Sequence, residues 1–128
     1  ILPFEDERFD FPCGMLGDIE IRFNHYKTFD EAVQKWEERK KRIDKSNMYI
    51  LAIDGDGRTE ESLLRFDKLP FEHKVIFTHV PRPDIKSSFY IHGFEEKGGV
   101  GVALYFKKGF LIRRYLDEFD YVAFLNHR

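Results

Sequence analysis

The first apolar positions with a clear period predict a strand followed by a helix. Ile19, Ile21 and Phe23 alternate with two charged residues, which is the two-residue period of a strand with one polar face. Thr28 then predicts a helix N-cap. The segment after it places apolar side chains on one helical face: Phe29, Ala32, Val33, Trp36 and Ile43. We therefore predict a strand over 19–23 and an amphipathic helix that starts at Thr28.

Two further apolar runs predict buried strands. Residues 48–53 and 74–78 are mostly apolar, which is typical of strands covered on both faces. Between them Thr59 begins a short helix that ends before Pro70. The order is β-α-β-α-β, and helical crossovers of this kind join parallel strands. The predicted fold class is α/β, a three-layer, Rossmann-like arrangement of a mostly parallel sheet.

The last third of the chain predicts extra strands and a terminal helix. Residues 89–91, 100–106 and 110–112 are apolar enough for strands, and the glycines at 98–99 indicate a turn. Residues 115–125 carry apolar side chains at helical spacing. These elements would follow the β-α-β-α-β unit in the same domain.

Length and composition predict a single α/β domain over 1–128. The 128 residues suit one compact core. Residues 1–15 have neither a helical nor a strand period and begin without Met. We therefore expect a connecting segment there, and expect the whole to be the C-terminal part of a longer protein.

Charge and cysteine content narrow the function classes. The chain has 21 Lys+Arg and 23 Asp+Glu, a net charge of -2, which argues against a nucleic-acid partner. No apolar run approaches the ~18 residues that span a bilayer, so no membrane span is predicted. Cys13 is the single cysteine and allows no internal disulfide. That favours a reducing compartment, the cytoplasm.

Polar side chains follow three of the predicted strands. Asn24 and His25 follow the first, Asp54 and Asp56 the second, and His79 the third. Ligands bind beyond the carboxyl ends of parallel strands, so we expect these groups to meet at one edge of the sheet. The two histidines are candidate catalytic acid–base groups, because imidazole titrates near neutral pH.

The Asp-Gly-Asp-Gly turn at 54–57 has two interpretations. Carboxylates two residues apart after a strand can hold Mg²⁺ or Mn²⁺ against a diphosphate, as in glycosyltransferases that use nucleotide sugars. The same residues are also typical of a tight turn. A haloacid-dehalogenase-type phosphatase fits less well, because Arg58 displaces Thr59 by one position from the Asp-x-Asp-Gly-Thr pattern.

Four side chains are candidate substrate contacts. Arg82, between two prolines, is a candidate clamp for a phosphate or carboxylate. Tyr26 and Tyr90 are candidates for stacking on a sugar ring, and Asn24 joins them as a polar group at a strand end.

Several separated motifs occur in order and carry a resemblance. They are LGDIEIRFNHY at 16–26, KWEER at 35–39, FDKLP at 66–70, VIFTH at 75–79, FYIHGF at 89–94 and FDYV at 119–122. Together they resemble the bacterial domain of unknown function numbered nineteen-nineteen, whose members are often called exopolysaccharide biosynthesis proteins. The resemblance extends from about residue 12 to the end and carries over no catalytic residue.

The resemblance implies a role in bacterial exopolysaccharide or capsule biosynthesis. Members also have an N-terminal region with an Asn-Asn-Cys-Trp-Gly-Gly motif that this sequence lacks, which implies that part of the sheet and of the site lies outside it. The leading hypothesis is a metal-assisted transferase acting on an activated sugar, either a nucleotide sugar or a sugar phosphate. The alternatives are a sugar acyl- or pyruvyl-type decoration enzyme and a non-catalytic glycan-pathway interaction protein.

Overall fold

A computed structural model describes residues 1–55 and 57–127. The chain is of mixed α/β class and divides into two compact units, unit 1 (Ile1–Ser46) and unit 2, which begins at Asn47. Each unit contains one three-stranded sheet among the described residues, antiparallel in unit 1 and parallel in unit 2. No helix in the described ranges is long and apolar enough to cross a bilayer.

Unit 1 pairs three short strands with one helix. The strands are β1 (Leu2–Phe4), β2 (Cys13–Leu16) and β3 (Ile19–Arg22), in the order β1-β2-β3. The helix α1 (Phe29–Lys40) follows them. The expectation that residues 1–15 only connect was therefore wrong, since they supply two strands. The pattern concealed β1 because it has three exposed residues, one of which is proline.

The predicted start of the helix α1 is confirmed. The Thr28 side chain accepts a hydrogen bond from the backbone N–H of Glu31, at 3.2 Å. The buried Phe23 makes edge-on ring contacts with Phe29 and Trp36, at centroid distances of 6.3 and 6.5 Å. The apolar face of the helix α1 thus packs on the residue that ends the sequence-predicted strand.

Unit 2 contains the parallel sheet, in the order β4-β5-β6. The strands are β4 (Tyr49–Ile53), β5 (His73–Thr78) and β6 (Ser88–Tyr90), and the helix α2 (Glu60–Asp67) joins the first two. Residues 75–78 of the central strand are all buried, as their apolar run predicts. Thr59 caps the helix α2, and Ser62 completes the capping box.

The prediction of one mostly parallel, three-layer sheet is not confirmed. The strand β3 pairs antiparallel with β2, so the parallel part is limited to β4, β5 and β6. The physical reason is visible in the sequence. The strand β3 alternates apolar and charged residues, which suits a sheet with one solvated face, whereas parallel strands are apolar on both faces.

The predicted strands at 100–106 and 110–112 are absent from the described structure. Residues 100–114 form irregular backbone with one isolated bridge, between Phe106 and Arg114. Gly101 interrupts the run 100–106, and Gly98 and Gly99 directly precede it. Its apolar side chains are mostly exposed, including Leu104 and Phe106, so they bury no sheet face.

The predicted helix over 115–125 is split in two. A 3-10 helix (Tyr115–Glu118) precedes the helix α3 (Tyr121–Leu125). The Asp120 side chain accepts a hydrogen bond from the N–H of Ala123 at 2.8 Å, so it caps a new helix instead of continuing the old one.

Candidate functional site

The carboxyl ends of β4 and β5 bring Asp54 and His79 together. Nδ1 of His79 lies 2.6 Å from Oδ2 of Asp54. The two strands are paired with Ile53 opposite Phe77, so the residues that follow them emerge side by side. Asp54 is only 6% exposed. The two side chains thus meet at adjacent strand ends, as the sequence predicts, and their chemical role stays a prediction.

The contact fixes the tautomer of His79. An ionised carboxylate only accepts hydrogen bonds, so Nδ1 carries the hydrogen and Nε2 of the neutral ring holds the lone pair. In the part of the chain that the structure describes, no protein group hydrogen-bonds that Nε2, and the His79 side chain is 19% exposed. A carboxylate-oriented imidazole with a free nitrogen is suited to accept a proton from a bound hydroxyl.

The backbone of Asp54 is held from two sides. Its N–H donates to the carbonyl oxygen of Phe77 at 2.8 Å, and its own carbonyl oxygen accepts from the N–H of Val100 at 2.5 Å. A Cβ added to Gly99 would lie 3.0 Å from the Asp54 carbonyl oxygen and 3.0 Å from the Cα of Gly55. The segment at 99–100 therefore covers the strand end. Glycine at position 99 lets its backbone come this close to the backbone of Asp54 and Gly55.

We expect Gly99→Ala to lower the free energy of unfolding by about 1–3 kcal/mol, because the new methyl group meets backbone atoms that cannot rotate away. Urea denaturation measures the change. Gly55→Ala is the matched control, since its Cβ would have Val100 O as its nearest neighbour at an ordinary 3.7 Å. Equal destabilisation by the two variants would contradict the close approach at Gly99.

The turn after β4 supports the turn interpretation of the Asp-Gly-Asp-Gly segment. The N–H of Arg58 donates to the carbonyl oxygen of Gly55 at 3.1 Å, and Gly57 has φ of 78°, which favours glycine. Asp56 lies outside the described residues, so the predicted metal pair with Asp54 stays a prediction. Within the described ranges no three His, Cys, Asp or Glu side chains are grouped as a metal site.

Arg82 is engaged by two carboxylates. Its Nε donates to Asp84 at 2.9 Å, and its Nη1 donates to Glu60 at 3.0 Å. Asp84 first and Glu60 second raise the pKa of Arg82 above its usual range, so the guanidinium stays charged. Glu60 begins the helix α2. Arg82 thus ties the loop after β5 to that helix, and its predicted phosphate contact stays a prediction.

Tyr90 ends the strand β6, opposite Thr78 of β5. Its hydroxyl donates to the carboxylate of Glu95, which raises the pKa of Tyr90 to about 12. The same hydrogen bond, helped by the N–H of Gly93, lowers the pKa of Glu95 to about 2. The Tyr90 ring also lies 4.2 Å from the His92 ring, centroid to centroid. Tyr90 therefore lies at the edge of the sheet to which Asp54 and His79 belong.

A second histidine–carboxylate pair lies beyond β6 and was missed by the sequence reasoning. Nδ1 of His92 is 2.9 Å from Oε2 of Glu118, and the backbone N–H of His92 donates to the same oxygen at 3.0 Å. The missed signal was the position of His92, which comes directly after Ile91 at the end of the predicted strand 89–91. His92 follows its strand as His79 follows β5, yet it is not among the residues predicted for the site.

Glu118 should make stability depend on pH. Burial raises its pKa, but hydrogen bonds from Lys107 and His92 outweigh burial and leave the pKa lowered. A lowered pKa contributes stability that is complete above the unfolded value of about 4.3. That contribution is lost as pH falls through the folded value.

Urea midpoints measured between about pH 6 and pH 3 should therefore fall less steeply in Glu118→Gln than in the wild type. Lys107→Met removes the cation from the same ion pair and should also flatten the slope. Three parallel slopes would show that this carboxylate does not couple folding to pH.

Asn24, His25 and Tyr26 lie in unit 1, in the turn after β3. Asn24 and His25 follow β3, which belongs to the antiparallel sheet, so the prediction that they follow a strand of the parallel sheet was wrong. Tyr26 packs edge-on against Phe23 at 6.3 Å. Tyr26 and Trp36 both line a mostly apolar cavity of about 410 Å³. The predicted roles of these three residues in catalysis and binding stay predictions.

The chain matches the sequence model of a known protein family. The sequence model of a domain of unknown function, DUF1919, matches residues 1–126. The chain belongs to the DUF1919 family. This confirms the resemblance inferred from the ordered motifs. An uncharacterized protein of Haemophilus influenzae is 44% identical over 126 residues, which are 98% of this DUF1919 chain and 61% of that protein. The chain thus spans less than two thirds of the relative's length.

Proposed function

We propose that this DUF1919 chain takes part in bacterial surface-polysaccharide synthesis as a cytoplasmic transferase in which His79 acts as the general base. The observation that carries the proposal is the 2.6 Å contact between Nδ1 of His79 and Oδ2 of Asp54 at the carboxyl edge of a parallel sheet. Sheet edges of this kind bind small ligands. A carboxylate that holds an imidazole in one orientation favours proton transfer by the other nitrogen of that ring.

The proposed step is attack by a hydroxyl group of an acceptor sugar on an activated donor sugar. Nε2 of His79 takes the hydroxyl proton while the acceptor oxygen forms a bond to the anomeric carbon of the donor. The bond from that carbon to the donor's phosphate oxygen breaks, and the phosphate leaves with the electron pair. Asp54 stabilises the imidazolium that forms, and the proton then passes to solvent or to the leaving phosphate.

A divalent cation would stabilise the charge on that phosphate. Asp54 and His79 contact each other, and within the described ranges no third His, Cys, Asp or Glu side chain is grouped with them, so the pair supplies fewer ligands than such a cation takes. The proton transfer from the acceptor hydroxyl needs only His79 and Asp54, with or without that cation. The Mg²⁺ or Mn²⁺ predicted for Asp54 with Asp56 is tested as a separate arm of the experiment.

Thermal shift against nucleotide sugars and sugar phosphates, each with and without Mn²⁺, tests the proposal. A true donor at about 100 times its Kd should stabilise the folded chain by about 2.7 kcal/mol. When an acceptor sugar is added, a nucleotide-sugar donor should release its nucleoside phosphate and a sugar-phosphate donor should release inorganic phosphate. The double variant Asp54→Ala/His79→Ala should lose the release. Loss in His25→Ala with full activity in the double variant would move the base to unit 1.

The Asp54–His79 dyad would also activate an acceptor hydroxyl for attack on a donor other than an activated sugar. Acyl thioesters and an enolpyruvyl phosphate therefore belong in the panel, since stabilisation by these alone would identify a sugar-decorating enzyme. If no compound shifts the wild-type melting temperature and no donor is consumed, the transferase proposal fails. The non-catalytic interaction protein would then be the better description.

A further inference from the structure

Residues 107–114 read Lys-Lys-Gly-Phe-Leu-Ile-Arg-Arg, with three apolar residues between two pairs of cations. We call this segment the basic–apolar loop. At its tip Phe110 is 102% exposed, Leu111 65% and Ile112 87%. Transfer of these apolar side chains from water to an apolar environment is favourable in free energy. Three successive ones held out in solvent are unusual for a surface that serves only solubility.

The basic–apolar loop stands on a paired stem. The N–H of Lys107 donates to the carbonyl oxygen of Arg113 at 2.8 Å, and the N–H of Tyr115 donates to that of Tyr105 at 3.1 Å. Phe106 and Arg114 form an antiparallel bridge between the same two legs. The tip at 108–112 is therefore held beyond a hydrogen-bonded base.

The stem is anchored in the core of unit 2. The Tyr115 ring packs on Phe94 with centroids 4.5 Å apart, and the N–H of Leu116 donates to the carbonyl oxygen of the buried Ala103 at 2.9 Å. The tip residues have no place in that core. The apolar tip therefore extends into solvent from a stem that is fixed to the core.

The cations around the tip differ in their partners. Lys107 is paired with Glu118, and Arg114 with Asp117 at 2.7 Å. Lys108 and Arg113 are exposed, and no carboxylate among residues 1–55 and 57–127 lies within ion-pair distance of either. Two cations, one on each side of the tip, therefore remain available for external anions.

We propose that the basic–apolar loop is a peripheral anchor for an anionic lipid surface. Phe110, Leu111 and Ile112 insert at the boundary between headgroups and acyl chains, while Lys108 and Arg113 contact lipid phosphates. An apolar tip between cations matches the layering of a lipid surface, where an apolar interior lies beneath anionic headgroups. A nucleic-acid partner would use the cations and leave the tip in water. The proposal does not depend on the proposed function.

Vesicle co-sedimentation of the 128-residue chain tests the proposal. Phosphatidylcholine vesicles containing phosphatidylglycerol should bind the chain, and pure phosphatidylcholine vesicles should bind it at least about tenfold more weakly. Added salt should weaken the binding. Phe110→Ser/Ile112→Ser and Lys108→Glu/Arg113→Glu should each lower the partition coefficient by about tenfold or more.

Matched controls come from exposed positions of unit 1. Leu16→Ser/Ile19→Ser removes two apolar side chains that are 44% and 59% exposed. Lys41→Glu/Arg42→Glu reverses two exposed cations. Both should bind vesicles like the wild type. Equal loss in the controls, equal binding to both lipid compositions, or no binding at all would overturn the proposal.

A fluorescence reporter separates lipid insertion from association with another protein chain. The sequence has a single tryptophan, Trp36. The variant Trp36→Phe/Phe110→Trp therefore moves the only indole to the tip. Its emission should shift to the blue with anionic vesicles. Self-association on a sizing column that depends on Phe110 and occurs without lipid, with no blue shift on vesicles, would assign the loop to a second copy of the chain instead.

Discussion

Replacing His79 with asparagine is expected to lower the rate of sugar transfer by about 100-fold to 10,000-fold, because the group that accepts the acceptor's proton is lost. The fold should persist, since the side-chain amide can still donate to Oδ2 of Asp54. Initial rates with the donor found by thermal shift measure the first effect, and urea denaturation the second.

Asp54→Asn and His92→Asn complete the comparison. The first removes the charge that stabilises the imidazolium, so kcat should fall while KM changes little. The second alters a histidine at the same edge that is 65% exposed and pairs with Glu118. Its activity should stay within about threefold of wild type. A loss at His92 as large as that at His79 would assign the proton transfer to the second pair.

The second large effect is on stability. Ile76→Ala should lower the free energy of unfolding of unit 2 by about 2–5 kcal/mol, because Ile76 is 0% exposed in the central strand and truncation leaves a cavity. It belongs to the cluster formed with Ala52, Leu63, Phe66 and Ile85. Urea denaturation followed by far-UV circular dichroism gives the measurement.

Leu51→Ala is the matched control for Ile76→Ala. Leu51 lies in the adjacent strand β4 and is 54% exposed. Its truncation should cost about 1 kcal/mol or less, since little apolar surface is withdrawn from water at that position. A loss at Leu51 equal to that at Ile76 would mean that the open face of β4 is covered in solution.

Local chemistry explains what the sequence predicts well. Thr28 and Thr59 each satisfy a free N–H of the first helical turn, so both helix starts could be placed to within a residue. The strands β4 and β5 are apolar runs between strong turn signals. These features depend on neighbours only a few positions away, which a single sequence contains.

Assignment of strands to sheets could not be made in the same way. The strand β3 was placed in the parallel sheet because a helix follows it, and its alternation of apolar and charged residues was given too little weight. The consequence reached the site. Asp54 and His79 meet because their strands β4 and β5 are neighbours. His25 follows β3, which belongs to the antiparallel sheet, so it does not follow a strand of the parallel sheet as predicted.

Hydrophobicity alone also could not distinguish a core strand from an exposed loop. Residues 100–106 and 110–112 are as apolar as β5, yet Phe110 and Ile112 lie in solvent. A hydrophobic pattern predicts a strand only if its apolar side chains are buried. The apolar side chains of the basic–apolar loop are exposed, so the pattern is misleading there.

The backbone N–H of Val100 donates a hydrogen bond to the carbonyl oxygen of Asp54, so hydrogen exchange of this amide reports on the strand end. Val100 begins the irregular segment that leads to the basic–apolar loop, and its amide is fixed on the backbone of the dyad. Its deuterium uptake therefore measures how often the strand end opens. Slower deuterium uptake at Val100 in the presence of vesicles would show that lipid contact at the loop reduces local opening of the backbone next to His79. Unchanged uptake would show that the two regions open independently.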